Sequence, residues 1–121
     1  MNTAIIGREG ERIASSYLEQ NGYKVVKRNF KAYGAEIDLV AVKEKTTVFT
    51  EVKYWNTFEF HEMERALNQD KRRRIVRASK GFLSRYPVFS ENRIRFDLLY
   101  LSGAGVHVKH VKDIFSETEP I

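Results

Sequence analysis

Apolar positions in the opening part of the chain recur with the spacing of a helix. Between about Gly7 and Gln20, at about 100° per residue, Ala14 and Leu18 fall on one side and Ile13 and Tyr17 widen it. Asn21 and Gly22 follow as a stop signal. Glu11 lies three and seven positions before Ala14 and Leu18, on the same inward edge, where a carboxylate needs a reason. From Tyr23 onward the pattern becomes that of strands, over Tyr23–Phe30, Ala35–Val42, Thr47–Tyr54 and Ile94–Leu101, with a short fifth over Val106–His110. Gly34, Lys43-Glu44-Lys45 and Gly103-Ala104-Gly105 mark the turns. Between the third and fourth strands a long helix is expected from about Phe60 to Tyr86, closed by Pro87. Its stripe contains Phe60, Met63, Leu67, Ala78 and Phe82, and Lys71 and Arg74 fall in the same sector. Either the helix directs charge toward its packing face, or both side chains run out past the stripe with their stems as cover. Helix, three strands, helix, two strands is an order in which a mixed sheet of about five strands is flanked by helices, an α/β or α+β class.

The chain has 121 residues, the size of one domain over residues 1–121, with a core over about 7–115 and a frayed tail expected beyond. With 42% hydrophobic and 31% charged residues it can bury a core. There is no cysteine, so disulfides, thiolate nucleophiles and Cys-ligated zinc are excluded. The first residues do not read as a signal peptide and no apolar run approaches the roughly 18 residues of a membrane span, so a cytoplasmic address and no membrane partner are expected. The net charge of +5 is local: Arg65 to Arg85 holds eight basic residues and Asp70, or +7, which leaves −2 for the rest. Such a surface attracts polyanions, phosphate backbones first, unless it is merely a solvated helix face.

Alternation puts Glu36 and Asp38 on one face of the second strand, and Glu51 and Lys53 on one face of the third. Acids on adjacent strands suit a hard divalent cation such as Mg²⁺, and a lysine two residues beyond one of them can hold a water or steady charge on a phosphate. With twelve Glu and ten Lys, a Glu-x-Lys triplet arises about once by chance, so Glu51-Val52-Lys53 draws its weight from a mid-strand context where acids are disfavoured. The competing reading is a cross-strand salt bridge of Lys53 with Asp38 or Glu36 on a solvated face.

Gly7-x-x-Gly10-Glu11, Gly22-Tyr23, Arg28-Asn29, Glu36-Ile37-Asp38-Leu39, Phe49-Thr50-Glu51-Val52-Lys53, Lys71 and Arg95-Phe96-Asp97 occur in the order seen in the YraN-like family. That family is assigned to the PD-(D/E)XK nuclease superfamily and is similar to archaeal Holliday junction resolvases; the resemblance covers about Gly7 to Phe115. It implies a restriction-endonuclease-like fold and an endonuclease hydrolysing phosphodiester bonds in structured or branched DNA, with Mg²⁺, for which Mn²⁺ can substitute. Asp38 and Glu51, with the Val52 carbonyl, would hold the metal, Lys53 would be the catalytic lysine, and Glu11 an additional acid beside the metal. Glu36 ranks below these. The resemblance also implies a polar contribution from Lys71, structural pairing of Arg95 with Asp97, and a two-fold dimer. Ala35 replaces the usual glycine before the Glu-Ile-Asp motif, and Tyr54, Trp55 and Asn56 replace the usual basic residues after Lys53.

DNA contact is expected from Lys71, Arg72, Arg73, Arg74, Arg77 and Lys80, with Trp55 stacking on unpaired bases. His107 and His110, three apart on a strand, point to opposite faces, and with His61 are read as ordinary surface or edge residues. Gly7 and Gly10 lack a following Gly-Lys-Ser/Thr and are read as allowing close packing at the helix start. Two other functions compete: a catalytically silent nucleic-acid-binding module of the same fold, and a domain whose basic helix docks on an acidic protein.

Overall fold

The first helix ends where the chain's stop signal stands. The Gly22 N–H donates to Glu19 O and the Tyr23 N–H to Leu18 O, while Asn21 Nδ2 donates to Tyr17 O at 2.8 Å. Gly22 has φ +88, the left-handed conformation that this helix-ending motif requires. The computed structural model describes residues 3–54, 67–103 and 107–116 and side chains from Arg8 onward, and these described residues form two helices and five strands. They are α1 (Thr3–Gln20), β1 (Lys24–Ala32), β2 (Ala35–Lys43), β3 (Thr46–Tyr54), α2 (Gln69–Arg85), β4 (Arg93–Ser102) and β5 (His107–Phe115), with a 3-10 turn over Pro87–Glu91.

The strands lie in one sheet in the order β1-β2-β3-β4-β5. Only β3 and β4 are parallel, because α2 carries the chain back between them; the other pairs are antiparallel. The mixed five-stranded sheet flanked by two helices is the α/β architecture expected, and it is consistent with a restriction-endonuclease-like fold.

Each helix covers one face. Ala14 and Leu18 of α1 pack with Tyr23, Leu39, Ala41, Val48 and Leu99. Gly10 lets α1 approach β4: a Cβ there would lie 3.3 Å from Leu101 Cδ1, so close packing is its role. On the other face Ile75, Val76, Ala78 and Phe82 of α2 meet Phe30, Ile37, Val40, Phe49, Phe96 and Leu98. The Phe82 ring stands edge-on to Phe30 and Phe49, with centroids 5.2 and 5.7 Å away, an arrangement favoured by ring quadrupoles.

The long helix begins later than the apolar spacing implied. Asn68 has extended backbone (φ −66, ψ 173) and its side chain accepts the Lys71 N–H at 3.0 Å, so it is an N-cap and Leu67 precedes the helix. Phe60, His61 and Met63 lie outside the described residues. The buried stripe is Ile75, Val76, Ala78, Ser79 and Phe82, and Arg74 is exposed. The fifth strand is longer than expected and runs to Phe115.

His110 corrects a second expectation. Its side chain is only 4% exposed, and its Nε2 lies 2.6 Å from Asp97 Oδ2. Asp97 also accepts two hydrogen bonds from Arg95, at 2.9 and 2.8 Å, and one from the Asp113 N–H at 3.0 Å. Arg95 reaches Tyr23 Oη at 2.7 Å. The Arg95–Asp97 pairing expected on family grounds is therefore the centre of a larger network that ties β4 to β5 and to Tyr23, between α1 and β1. The sequence hid this because the register of β4 and β5 shifts between Phe96 and Leu98, and a bulge re-aims side chains that simple alternation would assign.

Burial alone would raise the Asp97 carboxyl, but hydrogen bonds from His110, Arg95 and the Asp113 amide outweigh it and hold the group below its ordinary value of 3.8. A carboxyl lowered in the folded state contributes stability above its unfolded pKa and loses it as pH falls through the folded value. Asp97→Asn is expected to cost about 3 kcal/mol at pH 7, because Arg95 and His110 lose their charged partner. The gap from wild type should shrink below about pH 4. Urea unfolding of both proteins at neutral and acid pH measures this.

Candidate active site

The site lies where two strands separate. Strands β2 and β3 pair from Lys43↔Thr46 up to Leu39↔Thr50 and no further. Beyond that point β3 continues beside β4 as far as Tyr54↔Leu101, and β2 continues beside β1 to its turn. Ile37 and Leu39, two residues apart, sit in opposite core clusters, where a regular strand would put them on one face. The break is at Asp38, which faces a ladder interruption at Asn29, a residue with φ +52. A wedge opens between β2 and β3, and the chemistry-bearing side chains line it.

Asp38 closes the base of that wedge. Its Oδ2 accepts the Val52 N–H at 2.8 Å, taking the place of the backbone partner that β2 would have offered. Glu36 and Asp38 come from β2, and Glu11 from the inward edge of α1. One carboxylate oxygen from each lies within 4.8 Å of the others, all three residues being partly buried. This is a donor set of hard oxygens of the type that Mg²⁺ and related cations take.

Glu51 of β3 is buried, at 5% exposure, and its Oε1 receives two ammonium groups: Lys53 Nζ at 3.0 Å and Lys71 Nζ at 3.2 Å. The salt bridge of Lys53 is thus with its own strand neighbour. Lys71 sits in the first turn of α2, where a cation opposes the helix dipole. Glu51 supplies the compensating charge, which gives Lys71 an electrostatic reason to be there that helix stability does not.

Burial, and then the negative field of Glu51, push the Asp38 carboxyl up to about 7; Glu11 adds to the rise, and the Val52 N–H and Lys71 oppose it. Counting Glu11, Glu36, Asp38 and Glu51 against Lys53 and Lys71, the ionised site carries −2, that is −4 and +2. A proton on Asp38 relieves part of that excess, and a divalent cation would relieve all of it.

The sequence-derived residues divide as follows. Glu11, Asp38, Glu51 and Lys53 are brought together, with Lys71 joining them through Glu51. Glu36, ranked below the others, belongs to the converging triad; its i, i+2 spacing from Asp38 was the signal. The Val52 contact seen is its N–H to Asp38. Arg73, Arg74, Arg77 and Lys80 are exposed on α2. Arg72 is turned inward, donating from Nε to Leu67 O at 2.7 Å, with its guanidinium over the Phe115 ring. Trp55 lies outside the described residues.

The model of a family described as "Uncharacterised protein family UPF0102" matches residues 10–101, a span that includes every residue of this site. A UPF0102 protein of Leptospira interrogans is 37% identical over 93 residues, 77% of this chain and 80% of the relative. One from Geobacter sulfurreducens is 35% identical over 114 residues, 92% of this chain and 88% of the relative. One from Bacteroides thetaiotaomicron is 32% identical over 112 residues, 91% of each chain.

Because the folded pKa of Asp38 lies above the unfolded one, the folded state holds a proton that the unfolded chain has lost, so this group's contribution to stability falls as pH rises from about 4 to about 7 and then levels. Asp38→Asn should flatten that slope and, in metal-free buffer at pH 8, raise the unfolding free energy by on the order of 1–3 kcal/mol. Denaturant midpoints of the two proteins in EDTA at pH 5 and pH 8 test it.

Proposed function

The chain belongs to the UPF0102 family, and we propose that it is a Mg²⁺-dependent endonuclease hydrolysing phosphodiester bonds in structured or branched DNA. The observation carrying this reading is the convergence of Glu11, Glu36 and Asp38 within 4.8 Å, beside a buried Glu51 that holds two lysines. The resemblance of its motifs to PD-(D/E)XK nucleases supports the same reading, as does a sheet whose strands part at the acids.

Glu11, Glu36 and Asp38 would hold the ion, with Glu51 beside them. The ion supplies Lewis-acid polarisation of the phosphate and an acidified water. Lys53 and Lys71 keep two positive charges at the rim of the acid pocket, fixed in advance by Glu51, where they steady the negative charge that gathers on phosphate oxygens. Without the ion the Asp38 carboxyl is pushed up to about 7, and the charge of a bound cation would hold it ionised as a ligand. Arg73, Arg74, Arg77 and Lys80 would follow the phosphate backbone without reading sequence. A two-fold pair of such chains would engage both sides of a junction.

The test is cleavage of junction, flap, duplex and single-stranded DNA by wild type, Glu36→Gln, Asp38→Ala and Lys53→Ala in Mg²⁺, Mn²⁺ or EDTA. Cutting is expected in either metal and in none of the EDTA samples, and each variant should lose at least about 100-fold in rate. Binding without cutting in every metal would favour the silent nucleic-acid-binding module; neither binding nor cutting would favour the protein-docking domain. Affinity should fall steeply between low and physiological salt, and charge removal at Arg74 and Arg77 should flatten that slope by roughly one unit each.

A further inference from the structure

Among the described residues the two large hydrophobic side chains left exposed are Val88 and Tyr33, and Tyr33 is 69% exposed. It stands at the tip of the hairpin joining β1 and β2, whose central residues Tyr33 and Gly34 have φ +54 and +73. That is the pattern of a type I′ turn, where Asn or Asp followed by Gly is the usual pair and a bulky aromatic is strained. Turn chemistry does not ask for a tyrosine here.

The ring has a built seat. A Cβ added to Gly81, in the interior of α2, would lie 2.7 Å from Ala32 Cβ and 3.1 and 3.4 Å from ring atoms Cε2 and Cδ2 of Tyr33. Glycine weakens a helix interior, so its presence at 81 is explained by the close approach of the hairpin, which lets the ring lie against the helix while staying open to solvent. Exposed cations stand on the two elements that meet here: Lys31 is two residues before Tyr33 on the hairpin, and Lys80 and Arg77 are one and four residues before Gly81 on α2. The same hairpin leads into β2, so Glu36 and Asp38 are three and five residues away, about 10 and 17 Å of extended chain.

We propose that Tyr33 is a stacking platform for an unpaired base of the DNA substrate, set a few nucleotides from the bond that is cut. The proposal rests on the nuclease reading above for the cut itself, and it names the substrate feature that the site recognises. An exposed aromatic ring on the same elements as several cations accepts any base face, because every base offers one. Within a continuous duplex those faces are already covered by neighbouring pairs, so the platform selects flaps, frayed ends and branch points over blunt duplex. The hairpin tip supplies a stacking surface within the described residues, a role that the sequence alone had assigned to Trp55.

Fluorescence anisotropy in EDTA, with a blunt duplex and the same duplex bearing a single-stranded flap, separates the outcomes. Tyr33→Phe keeps the ring and should bind both as wild type does. Tyr33→Ala and Tyr33→Asn should each weaken flap binding about tenfold, the effect of one lost base stack, and change duplex binding less than about twofold. Tyr33→Asn should melt at or above the wild-type temperature, since Asn suits the turn, so its loss of affinity is not a loss of fold. Unchanged flap affinity in both ring-less variants overturns the proposal, as does an equal loss on blunt duplex. Binding in EDTA is independent of cutting. A chain that grips flaps through Tyr33 without metal-dependent cleavage therefore keeps this inference and loses the nuclease reading, and the reverse result does the opposite.

Discussion

The hydrogen bond from the Val52 N–H to Asp38 is the contact on which the rest of the site depends. Two paired strands cannot part without leaving backbone donors stranded, and a stranded donor in a half-buried place is costly. Asp38 satisfies that donor with a side chain, which lets β2 and β3 separate and still end in a defined geometry. The wedge so formed brings an acid from β2, an acid from α1 and a buried glutamate from β3 to one place. A sheet that stayed paired to its ends would have filled that space with backbone.

Charge is then balanced inside the wedge by unequal means. Glu51 is buried and answered by two lysines, one on its own strand and one brought across by α2. Glu11, Glu36 and Asp38 receive no matching cation from an ion pair among the described residues, and burial, with the fields of Glu51 and Glu11 added, raises the Asp38 carboxyl. The fold thus holds one carboxylate fully compensated and a cluster of three poised for positive charge from outside. By contrast, the Arg95–Asp97–His110 network on the α1 face is satisfied within itself, which marks it as support for β4 and β5.

Helix α2 links these features to the surface. Its buried face is apolar and aromatic, its first turn delivers Lys71 to Glu51, and its exposed side carries Arg73, Arg74, Arg77 and Lys80. Gly81 brings the β1–β2 hairpin against the same helix. Lys71 at the acid wedge, the cationic ridge and the seat of the Tyr33 ring are therefore carried by one element.

Much of this was legible without coordinates. Helical spacing identified the inward edge of α1 with Glu11 on it, period-two alternation identified the five strands, and Asn21-Gly22 and Pro87 marked two helix ends, because each of these signals is local and depends only on backbone geometry. The grouping of Glu51 with Lys53 followed from the same alternation; Glu36 and Asp38 meet as expected although the strand breaks its alternation between Ile37 and Leu39. The late start of α2 was missed although Asn68 carried the capping signal, since Leu67 also fitted the apolar stripe. Other features had no local signature. The exchange of faces at Asp38, the bulge that turns His110 and Asp97 toward each other, and the meeting of Lys71 with Glu51 depend on register and on how far α2 lies along the sheet. Those are set by the packing of distant surfaces, so only the assembled fold could decide which of the chain's acids would stand together and which would find a partner.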